Sequence, residues 1–303
     1  MIGNFTRRRR RLLPVALGVL LTVAALVAGT VAPAAAEPAD RVSTQASVVR
    51  FNAIWEPGGD NRAWVHTWAA QDLLHHNGEL FNQGWRIDSL TMVKGANGEL
   101  RYNAIWKPGS GPSPVLIGWT EQQFFAQVGA YWSQGLRPWR INRYPHGGSF
   151  RYDAIFKPGT DGRRYVVDWT RDSLLAEDAK MRAQGYRLVQ VTGVPQNPPL
   201  SADVRYVGIW MPGTDARPTL LGGTWDELAQ ANGNHWASGY RMKYLSSYLT
   251  NTGALRYDAI WEPGNDGRPI IFGWDAAGFA AKNSEVWAIG YRPTVLHSYL
   301  SPN

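Results

Sequence analysis

One segment recurs five times along this chain, and that recurrence limits the possible folds more than any other feature. It reads RFNAIWEPG at 50–58, RYNAIWKPG at 101–109, RYDAIFKPG at 151–159, RYVGIWMPG at 205–213 and RYDAIWEPG at 256–264. The leading arginines stand 51, 50, 54 and 51 residues apart. A second marker keeps step with the first: QGWR (83–86), QGLR (134–137), QGYR (184–187), SGYR (238–241) and IGYR (289–292). A tryptophan lies between the two each time, at Trp68, Trp119, Trp169, Trp225 and Trp274. A fixed period of this length implies one small supersecondary unit stacked against copies of itself.

Each copy carries the same local signals. Arg-Tyr-x-Ala-Ile-Trp is rich in aromatic and branched residues and stops at Pro-Gly, which predicts a strand with a defined end. Turn residues follow, as in Gly159-Thr160-Asp161-Gly162 and Gly264-Asn265-Asp266-Gly267. A short second strand leads to the tryptophan marker and is clearest at 165–169 and 269–274. Thr120, Thr170, Asp226 and Asp275 then suit helix N-caps, and Thr120 with Gln123 forms a capping box; unit one has Ala69 there instead. Phe124, Val128 and Tyr131, and likewise Phe279 and Val286, recur at helical spacing. Gly84, Gly135, Gly185, Gly239 and Gly290 close the helices, where glycine takes positive φ at little cost. A third strand follows, as at 240–245, and a turn leads into the next copy.

The expected fold class is therefore α+β: five β-β-α-β repeats at about 49–99, 100–149, 150–203, 204–254 and 255–303. Hairpins would join the third strand of one unit to the first strand of the next. The array starts with a first-type strand and ends with a third-type strand at 293–300. Those two types pair elsewhere, so closure into a pseudo-five-fold, propeller-like ring removes two exposed edges. An open solenoid with atypical ends is the alternative. The Pro-rich stretch 195–203 reads as an enlarged loop between units three and four.

The formal charge of +7 sits mostly in residues 1–36, which hold five arginines (Arg7–Arg11) and no acid; the rest has 26 basic and 24 acidic residues, or +2. The repeats thus carry no electrostatic footprint for nucleic acid. The basic head, the apolar run at 12–32 and Ala34-Ala35-Ala36 read as a secretory signal peptide cut before Glu37. A retained N-terminal anchor is the alternative, and the Sec and twin-arginine routes both stay open. Residues 37–48 read as a flexible mature N-terminus. The expected location is extracellular, with no stable membrane anchor after cleavage. Zero cysteine excludes disulfides, thiolate metal sites and thiol nucleophiles.

No G-x-S-x-G, H-E-x-x-H, Walker A or Rossmann glycine pattern occurs. The six histidines read as surface residues, and the adjacent pair His75-His76 would point about 100° apart on a helix. Asp60, Asp161, Asp215 and Asp266 read as turn formers rather than calcium ligands. Neither a metal nor a cofactor is expected. On the first strand, alternation puts Arg101, Asn103 and Ile105 on one face and Tyr102, Ala104 and Trp106 on the other. Arg50 with Asn52, Arg101 with Asn103, Arg151 with Asp153 and Arg256 with Asp258 would form a polar belt, which Arg205 joins and Val207 interrupts. The belt has two readings: a ladder of Arg–Asp pairs holding units together, or a channel lining that grips a peptide or glycan. The marker tryptophans read as core, whereas Trp64 and Trp139 stand outside the pattern. Those two are candidates for stacking on sugar rings, or else they fill gaps between units.

The RYxAIWxPG strand with the GYR segment, at about 50 residues, resembles the bacterial tandem-repeat family across 50–300. That repeat is also found beside β-lactamase-like serine hydrolase domains, including those of fungal polyglycine hydrolases. The resemblance implies an extracellular recognition module and association with serine hydrolases, whose nucleophile belongs to the other domain. The Ser-x-x-Lys motif expected of that domain is absent here. The unit is also similar in outline to the pentein fold, a likeness of architecture only.

The leading functional expectation is a secreted, non-catalytic binding or accessory protein for a cell-wall glycan or an extracellular polypeptide. Its motivation is repetition without one sharply divergent unit. A hydrolase with a site formed once, at the ring centre or the 195–203 loop, is the second reading. An inhibitor or protein-interaction scaffold is the third.

Overall fold

The computed structural model describes residues 48–95, 97–196 and 203–301. The expected leader, most of the expected N-terminal segment and residues 197–202 of the expected loop lie outside the described residues. Unit one comprises β1 (Val49–Pro57), β2 (Ala63–Trp68), α1 (Ala70–Asn82) and β3 (Trp85–Lys94). Unit two comprises β4 (Leu100–Pro108), β5 (Val115–Trp119), α2 (Glu121–Ser133) and β6 (Leu136–His146). Unit three comprises β7 (Ser149–Pro158), β8 (Arg164–Trp169), α3 (Arg171–Ala183) and β9 (Tyr186–Pro195). Unit four comprises β10 (Val204–Pro212), β11 (Thr219–Gly223), α4 (Trp225–Ala237) and β12 (Tyr240–Leu249). Unit five comprises β13 (Leu255–Pro263), β14 (Ile270–Trp274), α5 (Ala276–Ala288) and β15 (Tyr291–Leu300).

The strands form three-stranded antiparallel sheets in the orders β2-β4-β3, β5-β7-β6, β8-β10-β9, β11-β13-β12 and β14-β1-β15. Every first strand is thus the middle strand of a sheet, flanked by the second and third strands of the preceding unit. Sequence repeat and sheet are offset by one strand. The last sheet takes its middle strand from the other end of the chain. Strand β1 pairs with β15 from Val49 opposite Leu300 to Pro57 opposite Tyr291, and with β14 at Phe51 opposite Trp274. The Ser301 amide donates to the Val48 carbonyl at 2.8 Å beside it.

A middle strand is covered on both faces, and this departs from the expected two-sided alternation. Tyr102, Asn103, Ala104, Ile105 and Trp106 are all buried, and the other four first strands repeat the pattern. On one face the large aromatic meets the helix of its own sheet; Trp55, Trp106, Phe156, Trp210 and Trp261 are fully buried. The matching helix residues Leu73, Phe124, Leu174, Leu228 and Phe279 are equally inaccessible. On the other face isoleucine packs into the neighbouring sheet. Ile105 joins the cluster around Trp55, Ile155 that around Trp106 and Ile209 that around Phe156. Ile260 joins Trp210, and Ile54 joins Trp261. Each such side chain contributes about 2–3 kcal/mol of burial, so the interior runs from sheet to sheet.

The markers have local physical reasons. The helix-closing glycines hold φ between 75° and 87°, and their carbonyls accept from the amides of Gly58, Gly109, Gly159, Gly213 and Gly264 in the Pro-Gly turns. The arginine of each GYR segment ties three pieces together. Arg241 donates from Nε to the Asp266 carbonyl and from Nη1 to the Trp236 carbonyl, and lies 3.6 Å above the Trp236 ring. Arg137 and Arg292 repeat that geometry on Trp132 and Trp287. Capping boxes form at Thr120–Gln123 and Thr224–Glu227. The cap of α4 is therefore Thr224, not Asp226; Trp225 is the first helical residue, and Gly223 occupies the strand position that Trp68 holds in unit one. The marker tryptophan is displaced there by two residues, from the end of the strand to the first turn of the helix.

Candidate functional site

All five third strands contribute to one cavity of about 660 Å³. Equivalent stretches line it: Thr91–Lys94 from β3, Asn142–Pro145 from β6, Thr192–Pro195 from β9, Ser247–Leu249 from β12 and His297–Leu300 from β15. These positions differ among the units, whereas the first strands are nearly invariant. Gly193 is required where it stands, because a Cβ there would sit 2.3 Å from the Tyr248 ring.

The Asn and Asp of the first strands lie just behind this lining and are buried. Each accepts from the amide of a residue that bulges the second strand. Asn103 accepts from Thr67 N at 3.1 Å, Asp153 from Gly118 N at 2.8 Å, Asp258 from Gly222 N at 2.8 Å and Asn52 from Gly273 N at 2.9 Å. All four bulge residues have left-handed backbones. The same side chains reach the cavity hydroxyls: Asn103 donates to Thr91 Oγ1 and Ser298 Oγ, and Asn52 to Ser247 Oγ at 3.0 Å. Burial pushes Asp153 and Asp258 up to about 7, against the amide donors that favour their charged forms.

Two features of the lining carry chemistry. Ser247 Oγ lies 3.2 Å from His297 Nδ1. Burial lowers His297 to about 4, so its ring is neutral near pH 7. This overturns the expectation of surface histidines for His297, which is buried in the cavity wall on β15. His75 does sit on the surface, paired with Glu79. The second feature is Arg143, whose side chain is only 3% exposed. Its Nη2 pairs with Asp168 Oδ1 at 2.9 Å, its Nε donates to Tyr152 Oη at 3.3 Å, and its guanidinium lies 3.4 Å above the Phe150 ring. Among the described residues its Nη1 has no hydrogen-bond partner.

A smaller cavity of about 290 Å³ lies among charged side chains near the Pro-Gly ends of the strands. Asp88 binds Lys107 at 3.1 Å and Lys157 there; burial raises its carboxyl, but the cations prevail and hold it well below the usual range. Glu56 and Glu262 share Lys243 and Arg268 on the other side.

The expected polar belt is divided by the structure. Arg50, Arg101, Arg151, Arg205 and Arg256 are half-buried. Among the described residues none of them forms an ion pair with the Asn or Asp two places on, so the ladder of Arg–Asp pairs is replaced by the amide bonds above. Trp64 is half-buried against Phe279 at 4.9 Å. Trp139 donates to the Asp88 carbonyl at 2.9 Å and carries Lys157 4.0 Å from its ring centre. The turn aspartates pair with the arginine two residues on: Asp60 with Arg62, Asp161 with Arg163, Asp215 with Arg217 and Asp266 with Arg268. This Asp-x-Arg spacing was visible in the sequence and explains those turns. No cluster of three or more metal-ligating side chains occurs among the described residues.

The fold thus defines a tandem β-α-β-β protein whose sheets each combine two units. Residues 114–158, 167–212 and 219–264 match the family described as polyglycine hydrolase-like, structural repeat, and the chain carries these three tandem copies of it. Each match runs from a second strand through the helix and third strand to the next Pro-Gly, which is the phase of the sheets. Residues 63–108 have the same order of elements, and the remaining set is split between 270–300 and 49–57. No curated protein and no solved structure matches the chain.

Proposed function

We propose that this protein is a secreted, non-catalytic binding or accessory module whose units close into a propeller-like ring. The 660 Å³ cavity would receive a segment of an extracellular polymer, a cell-wall glycan or a polypeptide. One observation carries this reading: five strands with a shared framework place their variable residues around a common opening. A repeat interface keeps its residues alike, whereas a recognition surface diverges. The seating of β1 between β14 and β15, with Ile54 packed beside Trp261, supports closure. The leader pattern at 1–36 supports export. The repeat family's hydrolase-like description favours a serine hydrolase as the associated partner.

The Ser247–His297 contact favours a second reading, a hydrolase acting from the cavity. Asn52 donates to Ser247 Oγ, which leaves the hydroxyl proton for the neutral imidazole. An imidazole near 4 is a weak base, however, and general-base catalysis works best with a group that titrates close to the working pH.

The test is incubation of the chain from Glu37 onward with peptidoglycan, chitin and Gly-rich peptides, scoring retention and product release. Retention without product, lost on Leu249→Trp at the cavity wall, is expected. Product release that disappears in Ser247→Ala would move the site to the hydrolase reading. Failure to retain any of the three polymers would end the binding reading.

A further inference from the structure

We infer that Arg143 makes the cavity a receptor for a carboxylate carried on an apolar body. This rests on the reading of the cavity as a ligand site. At the places equivalent to Arg143 the other units hold Met92, Gly193, Ser247 and Ser298. Three more departures from the repeat gather around it. Phe150, under the guanidinium, replaces the aliphatic Val49, Leu100, Val204 and Leu255. Val207 replaces the Asn or Asp that elsewhere accepts the bulge amide. Asp168, at that bulge, holds φ 63° where units two, four and five have Gly118, Gly222 and Gly273. Such a backbone suits glycine. Keeping an aspartate there is accounted for by its ion pair with Arg143, which holds the guanidinium in place.

The guanidinium is therefore oriented and buried, and no group among the described residues accepts from its Nη1. A buried donor without an acceptor is costly, and a ligand oxygen would relieve that cost. A carboxylate fits the planar fork better than a neutral oxygen does. The rest of the lining is mostly apolar surface, with Val194, Pro195, Tyr248 and Leu249 among its residues, and Lys94 adds a second positive charge. A polypeptide carboxyl terminus and a free fatty acid share this chemistry.

The experiment is calorimetric titration of the chain from Glu37 onward with N-acetylphenylalanine, its amide, and octanoate. The acid should bind at least about tenfold tighter than the amide, the size expected of a charge-assisted hydrogen bond in a buried site. Arg143→Met, the residue unit one carries there, should erase that difference, and Arg143→Lys should keep part of it. Octanoate binding as tightly as the peptide acid assigns the fatty-acid source; octanoate binding much more weakly assigns the carboxyl terminus. Equal affinity for acid and amide in the wild type, or no binding of either acid, overturns the proposal without needing a folded variant. Polymer retention lost on Leu249→Trp, together with equal acid and amide affinities, would keep the cavity as the site and remove Arg143 from it.

Discussion

Trp106 Nε1 donates to Asn77 Oδ1 at 2.9 Å across the contact between β4 and α1. The same bond joins Trp55 to Asn283, Trp210 to Asp178 and Trp261 to Asn232. The sheet β5-β7-β6 with its helix α2 breaks it on both sides at once: β7 has Phe156, which has no donor, and α2 has Val128 at the eighth helical position, which has no acceptor. Donor and acceptor change together because a buried indole N–H without a partner is penalised, whereas an apolar pair of matching shape is not.

This pairing is testable between β4 and α1. Asn77→Val should cost about 1–3 kcal/mol, since it strands the Trp106 donor. Adding Trp106→Phe should recover part of that loss, giving a coupling of about 0.5–2 kcal/mol in a double-mutant cycle. Urea denaturation of the four proteins measures it. Strictly additive losses would show that the bond contributes nothing beyond packing.

Two glycine-to-alanine changes should have opposite signs. Gly193→Ala places a methyl against the buried Tyr248 ring and should destabilise by about 1–3 kcal/mol. Gly129→Ala, in the exposed interior of α2 with open space around it, should stabilise by about 0.5–1 kcal/mol. Melting curves decide the matter, and a stabilised Gly193→Ala would mean that the ring is not seated as described.

The buried aspartates set a pH dependence. Unfolded, Asp153 titrates near its ordinary 3.8; in the fold, burial pushes it up to about 7. Between those values the native chain holds a proton that the unfolded chain has released. The stability contribution is therefore complete below about 3.8 and falls as pH rises toward 7. Asn52 and Asn103 occupy the same place in other sheets, so an amide fits there. Asp153→Asn should gain on wild type as pH rises from 4 to 7, and comparing the two proteins cancels the opposite trend of His66, His235 and His297, which burial lowers. Urea midpoints at pH 4.5 and 7.5 check it; a gap that moves the other way would contradict the burial-driven shift.

The repeat, its strands, helices and closing glycines were legible because the same local propensities and turn chemistry recur in every copy. Period was legible but phase was not: RYxAIWxPG ends one sheet's set of strands and also begins a sequence unit, and only pairing decides between them. The Asn and Asp of the first strand misled for a related reason. Alternation assigns one face to solvent, yet a middle strand between a helix and a neighbouring sheet has no such face, and Asn103 spends its polar atoms on Thr67, Thr91 and Ser298. The cavity lining was the least legible part. Met92, Arg143, Gly193, Ser247 and Ser298 share a position but only the last two share a residue type, so no signal common to the five units marks them.

Joining the ends tests closure directly. Val48 and Ser301 are bonded neighbours, and β1 fills the middle of a sheet whose outer strands come from unit five. Linking 301 to 48 through a short Gly-Ser connection and opening the chain at the exposed turn 251–253 preserves every strand pair. The permutant should stay monodisperse in size-exclusion chromatography and melt cooperatively. Deleting 49–57 instead leaves β14 and β15 each with an unpaired edge and uncovers Ile271 and Phe279. Exposed edges and apolar surface promote association, so the truncated chain should elute as aggregate. A truncated chain that stays monomeric and as stable as the parent would show that β1 does not hold the two ends of the array together.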